Sequence, residues 1–509
     1  MTPFATFAVL YMTALFLELA EKWTYPLFTL AILCLIVLII SIRITRVTFL
    51  LFLAITTSHF LLVQFPDVAN HVNVAIYCNL VMMIGIIYSL VRIRRFPTGD
   101  DYFVMMRPLL QTAAILVYFL AGFHKLNFDF VDPGVSCAAD MLHSLSRMAR
   151  SEILGVPTAL ILLAGILLVS YRLLSASRLR SYLPVVVGIG AIALLAFVAL
   201  QVSEALEIPL AAYTWVSLMM VAVVIAWELI GGPLLAIPRS QAPLVAFSWA
   251  MHSTLALIGF VDFGALALAL LFTFVPGPYL NLLNSHLRVP VLRRSIHRAH
   301  LYFTINVLGG ILHHRLGTGI IFLVSNLVFI WPLLAALVAG PSRPAWVGVS
   351  LSSRMTPKWM FIFPVLLFLH GITSYLGLRT AGNFSMFSNL RTEGSRSNHF
   401  LLGSNPLKLW NYQEDVVRFI EIDDQQARIG YQYKPLQGNQ LPVVEFRKLI
   451  YAWTKASVTV PMTVEYRGRI YSTEDIVNHP QWRTDARDWE MVLMDFRVIQ
   501  PDGPNRCRW

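Results

Sequence analysis

The chain has 509 residues, 57% of them hydrophobic and only 13% charged, with a mean hydropathy of +0.65. Soluble proteins carry about 25% charged residues, so the composition excludes an ordinary soluble domain and points to a membrane. The formal charge of +11 does not indicate nucleic acid. Its basic residues fall in short clusters between apolar runs, at Arg43 and Arg46, at Arg92, Arg94 and Arg95, and at Arg172, Arg178 and Arg180, the pattern of cytoplasmic loops under the positive-inside rule.

In chain order, residues 3–20 read as an apolar helix ending near Glu18 and Glu21, either a span or an interfacial helix. The N-terminal stretch lacks the basic start of a cleavable signal peptide. Spans are expected at 25–42, 47–63, 71–91, 108–123, 155–171, 183–201, 209–230, 244–261, 318–340 and 359–378, each near the length of about 20 apolar residues that crosses hydrocarbon. A tract at 263–275 reads as a short return or re-entrant helix, and periodicity does not resolve the basic stretch 276–317. From about residue 400 the composition turns polar: 441–456 reads as an amphipathic helix, and Ser457 to Tyr471 alternates like strands around the turn Arg467-Gly468. The expected fold is thus an all-α polytopic membrane helix bundle of about 8–11 spans over residues 1–400, with a smaller α+β polar domain at 401–509.

Orientation follows from charge. The basic loops 43–46, 92–95 and 172–180 should be cytoplasmic, and the acidic loops 64–70 and 202–208 should face outward. The segments Asn70-His71 and Ala121 to Asp132 then converge on the outer side. The loop 341–358 is placed inside and the C-terminal domain outside. Cys34 and Cys78 lie in apolar runs and read as packing residues. If the C-terminal domain is external, an oxidising compartment would permit a bridge between Cys137 and Cys507.

The stretch Ala121-Gly122-Phe123-His124-Lys125-Leu126-Asn127-Phe128-Asp129-Phe130 breaks from apolar helix into a polar, aromatic turn. Here the sequence resembles the membrane domain of the vitamin K-dependent gamma-carboxylase family (the HTTM superfamily), which carries a Lys-Leu-Asn/Asp motif at the outer end of a span. A second match is the Asn-His pair Asn70-His71. A looser third is Met251-His252 opening a span, followed by the run Phe384-Ser385-Met386-Phe387 leading to Arg391 and Arg396. The likeness covers roughly residues 25–400. The paired lysines of the animal carboxylases become His124-Lys125 here, Asn127 replaces an aspartate, and the long C-terminal region that binds propeptide and substrate has no counterpart.

The resemblance implies a particular chemistry. In the family a neutral lysine deprotonates a reduced quinone, which takes up O2 and becomes a strong base. That base removes a proton from the γ carbon of a glutamate, and CO2 adds there. Lys125 would be the base, with His71 and His252 as electrostatic partners. Asn70, His124, Asn127, Phe128, Arg391 and Arg396 would bind the cofactor or an anion. A lysine near its reference pKa of about 10.4 is protonated at neutral pH. Lowering that value by about three units costs about 4 kcal/mol of differential solvation, which burial among Phe119, Phe123, Phe128 and Phe130 could supply. Lipid is the expected partner, with a protein or peptide substrate on the outer face. No metal is expected, because His297-x-x-His300 and His313-His314 are crowded by arginines rather than carboxylates.

Plainer roles stand beside each of these. Lys125 can be a snorkelling anchor, Asn70 a helix cap, and the segment with Arg391, Glu393, Arg396 and His399 a solvated linker. Asp129 reads as a loop residue or a partner that orients Lys125. His59 and His370 also fall in expected spans, where an ionisable residue is a functional candidate. The alternative reading is a non-enzymatic membrane module that binds lipid, quinone or a partner protein. A transporter is weaker still, since few charges fall inside the spans.

Overall fold

A computed structural model describes residues 2–21, 45–65, 68–94, 97–149, 210–275, 286–289, 294–311, 315–329 and 355–507, together with Ile32, Leu35 and Ile36 and apart from interruptions at 395–396, 404–406, 424–435, 485 and 502. The expected spans 155–171 and 183–201, nearly all of 25–42 and the second half of 318–340 lie outside the described residues.

Among the described residues, six helices are long and apolar enough to cross a membrane: Pro3–Ala20, Arg46–Gln64, Asn70–Arg92, Gly99–His124, Thr214–Leu234 and Lys358–Leu376. The first of them, α1 (Pro3–Glu21), is apolar on every face and buried within the bundle, as a helix without a polar face must be. Residues 3–20 are thus packed inside the described bundle. α2 (Arg46–His59) starts at a capping box in which Thr45 and Thr48 exchange side-chain-to-backbone hydrogen bonds of 3.1 and 2.9 Å. α3 (Asn70–Tyr88) follows.

α4 (Gly99–His124) begins well before the expected residue 108. Thr98 caps it by accepting from the Asp101 amide at 3.2 Å, and Asp100 and Asp101 face the positive end of the helix dipole. The helix runs on through Pro108. The apolar run marks the part inside the core, whereas the cap marks where the helix starts.

Two short helices follow the motif, α5 (Phe128–Val131) and α6 (Cys137–Ala149). α7 (Leu210–Ile225) then continues through a wider, π-helical turn at Ala226–Gly231 and the short helical piece Gly232–Leu234. The expected span 244–261 and return tract 263–275 form a helical hairpin: α8 (Gln241–Leu255) and α9 (Val261–Phe272) fold against each other around Gly259, whose φ of +100° only glycine adopts readily. Met251-His252 therefore sits in the last turns of α8 rather than at the opening of a span. Among its described residues, the basic stretch 276–317 contains a strand pair, β1 (His286–Val289) with β2 (Arg294–His297), and α10 (Arg298–Ile311). α11 (Arg315–Phe329) and α12 (Ile362–Gly371) complete the described helices of the bundle.

The C-terminal unit is a small antiparallel sheet in the order β4-β3-β5-β6, formed by β3 (Val416–Ile422), β4 (Gln440–Pro442), β5 (Met462–Tyr466) and β6 (Arg469–Thr473). α13 (Val443–Ala456) covers it, burying Phe446, Leu449, Ile450 and Trp453 against Val417, Phe419 and Val464. β5 and β6 pair across Arg467 (φ 50°) and Gly468 (φ 73°). Two positive φ angles make the tight hairpin turn whose twist matches the strands. A last helix, α14 (Trp489–Leu493), leads to a tail that returns to the bundle.

That tail fixes the domain to the end of α4. Asn505 donates its amide to Asp129 at 2.9 Å, Cys507 donates its amide to Val135 O at 3.2 Å, and Cys507 is disulfide-bonded to Cys137. The sheet domain and Lys125 thus share one end of the bundle. Cys507→Ser is expected to migrate differently from the parent on a non-reducing gel and identically after reduction. It should also lose about 2–4 kcal/mol of stability, the usual contribution of a bridge that closes a long loop. Identical migration before reduction would refute the bond.

Candidate functional site: an apolar cavity at the end of α4

Lys125 caps the C-terminus of α4 and folds back along it. Its amine lies 2.6 Å from Glu228 Oε2, 3.4 Å from the carbonyls of Ala121 and Met386, and 5.8 Å from the centre of the Phe130 ring. Only 3% of the residue is exposed. Glu228 sits in the π-helical turn after α7, a widened geometry that re-aims side chains and recurs at functional sites. Gly122 lets that turn come close, because a Cβ there would stand 2.6 Å from Leu229 N and 2.8 Å from Glu228 C.

Lys125 and Glu228 form part of the wall of a cavity of about 560 Å³. The rest of the wall is mostly apolar, from Val74 on α3, Val117 on α4, Val224 and Trp227 near the end of α7, Leu255 on α8 and Leu266 on α9. Val223 and Phe247 line it and are also exposed, so its mouth opens between α7 and α8.

His71 and His252 line the same cavity. His71 Nε2 lies between two carboxylates, 2.7 Å from Glu18 Oε2 and 3.0 Å from Asp262 Oδ2. His252 Nε2 shares a 2.7 Å hydrogen bond with Tyr118 Oη, which is 2.9 Å from Ser248 Oγ. His252 Nδ1 has no hydrogen-bond partner among the described residues. Lys125, His71 and His252 thus line one cavity; loop charge brings together only the segments of the first two. The looser motif joins them, since Met386 and Phe387 also line the cavity.

The remaining residues singled out from sequence lie elsewhere. Asn70 does not line the cavity but accepts from the Phe384 amide at 2.5 Å. That bond helps hold Phe384 in left-handed backbone (φ 68°), a conformation that costs a phenylalanine about 1–2 kcal/mol; Phe387 and Asn389 are also left-handed (φ 52° and 53°). Asn127 caps α5 by accepting from Phe130 N, and donates to the carbonyls of His124 and Ser388. It places the turn that carries Lys125. His124 turns from the cavity to Tyr375, its Nδ1 at 2.7 Å from the hydroxyl. Phe128 is 64% exposed and packs edge-on against Phe400.

Of the aromatic residues expected to bury Lys125, only Phe130 does so. Phe119 and Phe123 stack on each other on another face of α4, because the lysine bends back toward Ala121. Asp129 accepts from Asn398 and from the Asn505 amide, so the carboxylate that meets Lys125 is Glu228. Arg391 lines a separate small recess with Glu393, Arg497 and Asn505; Arg396 lies outside the described residues. His370 bonds the Gly382 carbonyl at 2.9 Å, and His399 bonds the Phe123 carbonyl at 3.0 Å.

Sequence reasoning passed over Glu228, Glu18 and Asp262. For Glu228, inside the expected span 209–230, the available signal is the one applied to the histidines: an ionisable residue inside an apolar span is a functional candidate. Glu18 ends the helix 3–20 and Asp262 falls between 244–261 and 263–275, so that signal does not reach them. Glu18, His71 and Asp262 present ligating atoms within 4.8 Å of one another. A mixed carboxylate and imidazole set is one that borderline ions such as zinc or iron accept, whereas hard ions prefer oxygen alone; neither histidine pair noted in the sequence belongs to it.

These features define a helical bundle enclosing an apolar cavity, with a buried lysine–glutamate pair and two histidines on its wall. No family model, curated protein or solved structure matches the chain.

Proposed function

We propose that the chain is a multi-pass membrane protein, of the inner membrane if the cell is bacterial, whose cavity binds a reduced isoprenoid quinone and whose Lys125 is the base of gamma-carboxylase-type chemistry. The supporting observation is a lysine amine, buried yet facing an apolar cavity of about 560 Å³. Ligand sites combine that size with mainly apolar walls and a few placed polar groups. The residues fit the group: apolar walls suit a ring and a prenyl tail, Lys125 and His71 suit its oxygens, and a mouth between two apolar helices suits entry from lipid. Bound as the quinol, the group supplies the hydroxyl whose proton is removed and the electrons that reduce O2. Lys125 Nζ takes that proton. His71, held by Glu18 and Asp262, faces the developing negative charge, and His252 is oriented through Tyr118. Carboxylation would add CO2 and a glutamyl substrate, delivered at the end of the bundle where the C-terminal domain sits.

The experiment is lipid extraction and mass spectrometry of the purified full-length chain. An isoprenoid quinone should co-purify with the parent and be lost from Ala250→Trp, which fills the cavity from α8. Recovery of phospholipid alone from both would refute the quinone. A second reading, a non-enzymatic quinone- or lipid-binding module, draws support from the Lys125–Glu228 pair itself, which satisfies the amine internally. Bound quinone without turnover would favour it.

A further inference from the structure

We infer that Glu228 is the proton acceptor for Lys125, so that the base of this site is a two-residue unit rather than a lone lysine. The inference rests on the quinol reading above. Four features of the site support it. The carboxylate and amine are 2.6 Å apart. Glu228 is the only carboxylate lining the cavity among the described residues. Its Oε2 has no hydrogen-bond donor besides that amine among the described residues. The chain also accepts a widened helical turn and a bare glycine face on α4 to bring the two together.

The proton count gives the pair its role. At rest the unit is an ammonium beside a carboxylate, with no net charge. An ammonium cannot take a proton from a quinol hydroxyl. Transfer of one proton from Lys125 Nζ to Glu228 Oε2 leaves an amine beside a carboxylic acid, again with no net charge. Lys125 Nζ then takes the hydroxyl proton and becomes ammonium, facing the charge left on the hydroxyl oxygen. Glu228 keeps the first proton while the anion is present and passes it to solvent as the anion leaves, which restores the ammonium–carboxylate pair. No step leaves a net charge in the apolar cavity, where an isolated one costs several kcal/mol. A lysine without Glu228 would have to release its proton outright before each turnover.

The test uses the full chain in nanodiscs, with the reduced form of phylloquinone as probe. Under anaerobic conditions, infrared difference spectra on binding should show a new C=O band of a protonated carboxyl. The band should be absent in Glu228→Gln and displaced in Glu228→Asp. In air, Glu228→Gln should turn over the probe about a hundredfold more slowly, the scale of positioned proton transfer, with KM within about threefold of the parent. Glu228→Asp should regain at least about tenfold of that loss, which guards against a mere folding defect. A band that persists in Glu228→Gln, or turnover equal to the parent, overturns the role of Glu228 and leaves the quinol reading intact provided that Lys125→Ala is inactive. Failure of the parent to bind the probe overturns both.

Discussion

Lys125→Ala is expected to lower turnover of a reduced naphthoquinone by about 10²–10⁴-fold, the contribution of a positioned general base, with little change in the quinol bound at saturation. The same substitution has a structural cost. It leaves Glu228 on an apolar wall without its cation, and breaking a fully buried pair from one side costs about 3–5 kcal/mol. The cost is smaller here, because 17% of the Glu228 side chain is exposed. The single variant therefore confounds loss of the base with loss of fold. Lys125→Met combined with Glu228→Gln removes both charges at once and should regain most of the unfolding midpoint while staying inactive. Stability restored together with activity would show that the amine only anchors the helix end, as a snorkelling lysine does.

The parts legible from sequence are those whose physics is local or periodic. The amphipathic stretch 441–456 becomes α13, and Arg467-Gly468 becomes a hairpin turn, because one buried face and two positive φ angles leave direct marks on residue choice. The meeting of Asn70-His71 with the end of α4 came from loop charge alone, and His71 and Lys125 do line one cavity. Hydropathy says which segments enter the core but not which way a residue points within it. Nor does the motif that groups Asn127, His124 and Phe128 with Lys125 say which way each side chain points. One turn of backbone sends the lysine inward, the asparagine into a cap, the histidine to Tyr375 and the phenylalanine outward.

The carboxylates illustrate the opposite case. Glu228 is a lone charge in an apolar run, and the few charges inside the spans counted against ion coupling. The three-dimensional arrangement gives these residues a different meaning. Glu228 faces Lys125, and Glu18 and Asp262 converge on His71 from helices far apart in the chain. Nothing in local sequence pairs residue 18 with residue 262. The π-helical turn at Ala226–Gly231 is equally silent, since an extra residue in a turn shifts the register without altering composition.

Gly122→Ala is expected to cost about 1–3 kcal/mol, the usual effect of overpacking, and to lower quinol turnover about a hundredfold. The added Cβ would meet Leu229 N at 2.6 Å and Glu228 C at 2.8 Å. Both are backbone atoms, so no side-chain rotation relieves the clash and α4 must separate from the turn. A separation of about 1 Å would stretch the 2.6 Å contact beyond hydrogen-bond length, and misplacement of that size can cost about 10²-fold in rate. Gly85→Ala provides the control. Its Cβ would also meet an atom at 2.6 Å, but the atoms are Cε and Sδ of Met106, the far end of a flexible side chain that can move aside. It should lose less than about 1 kcal/mol and keep its turnover. Equal losses in the two variants, read as unfolding midpoints and initial rates, would mean that close approach of α4 to the turn does not hold Glu228 against Lys125.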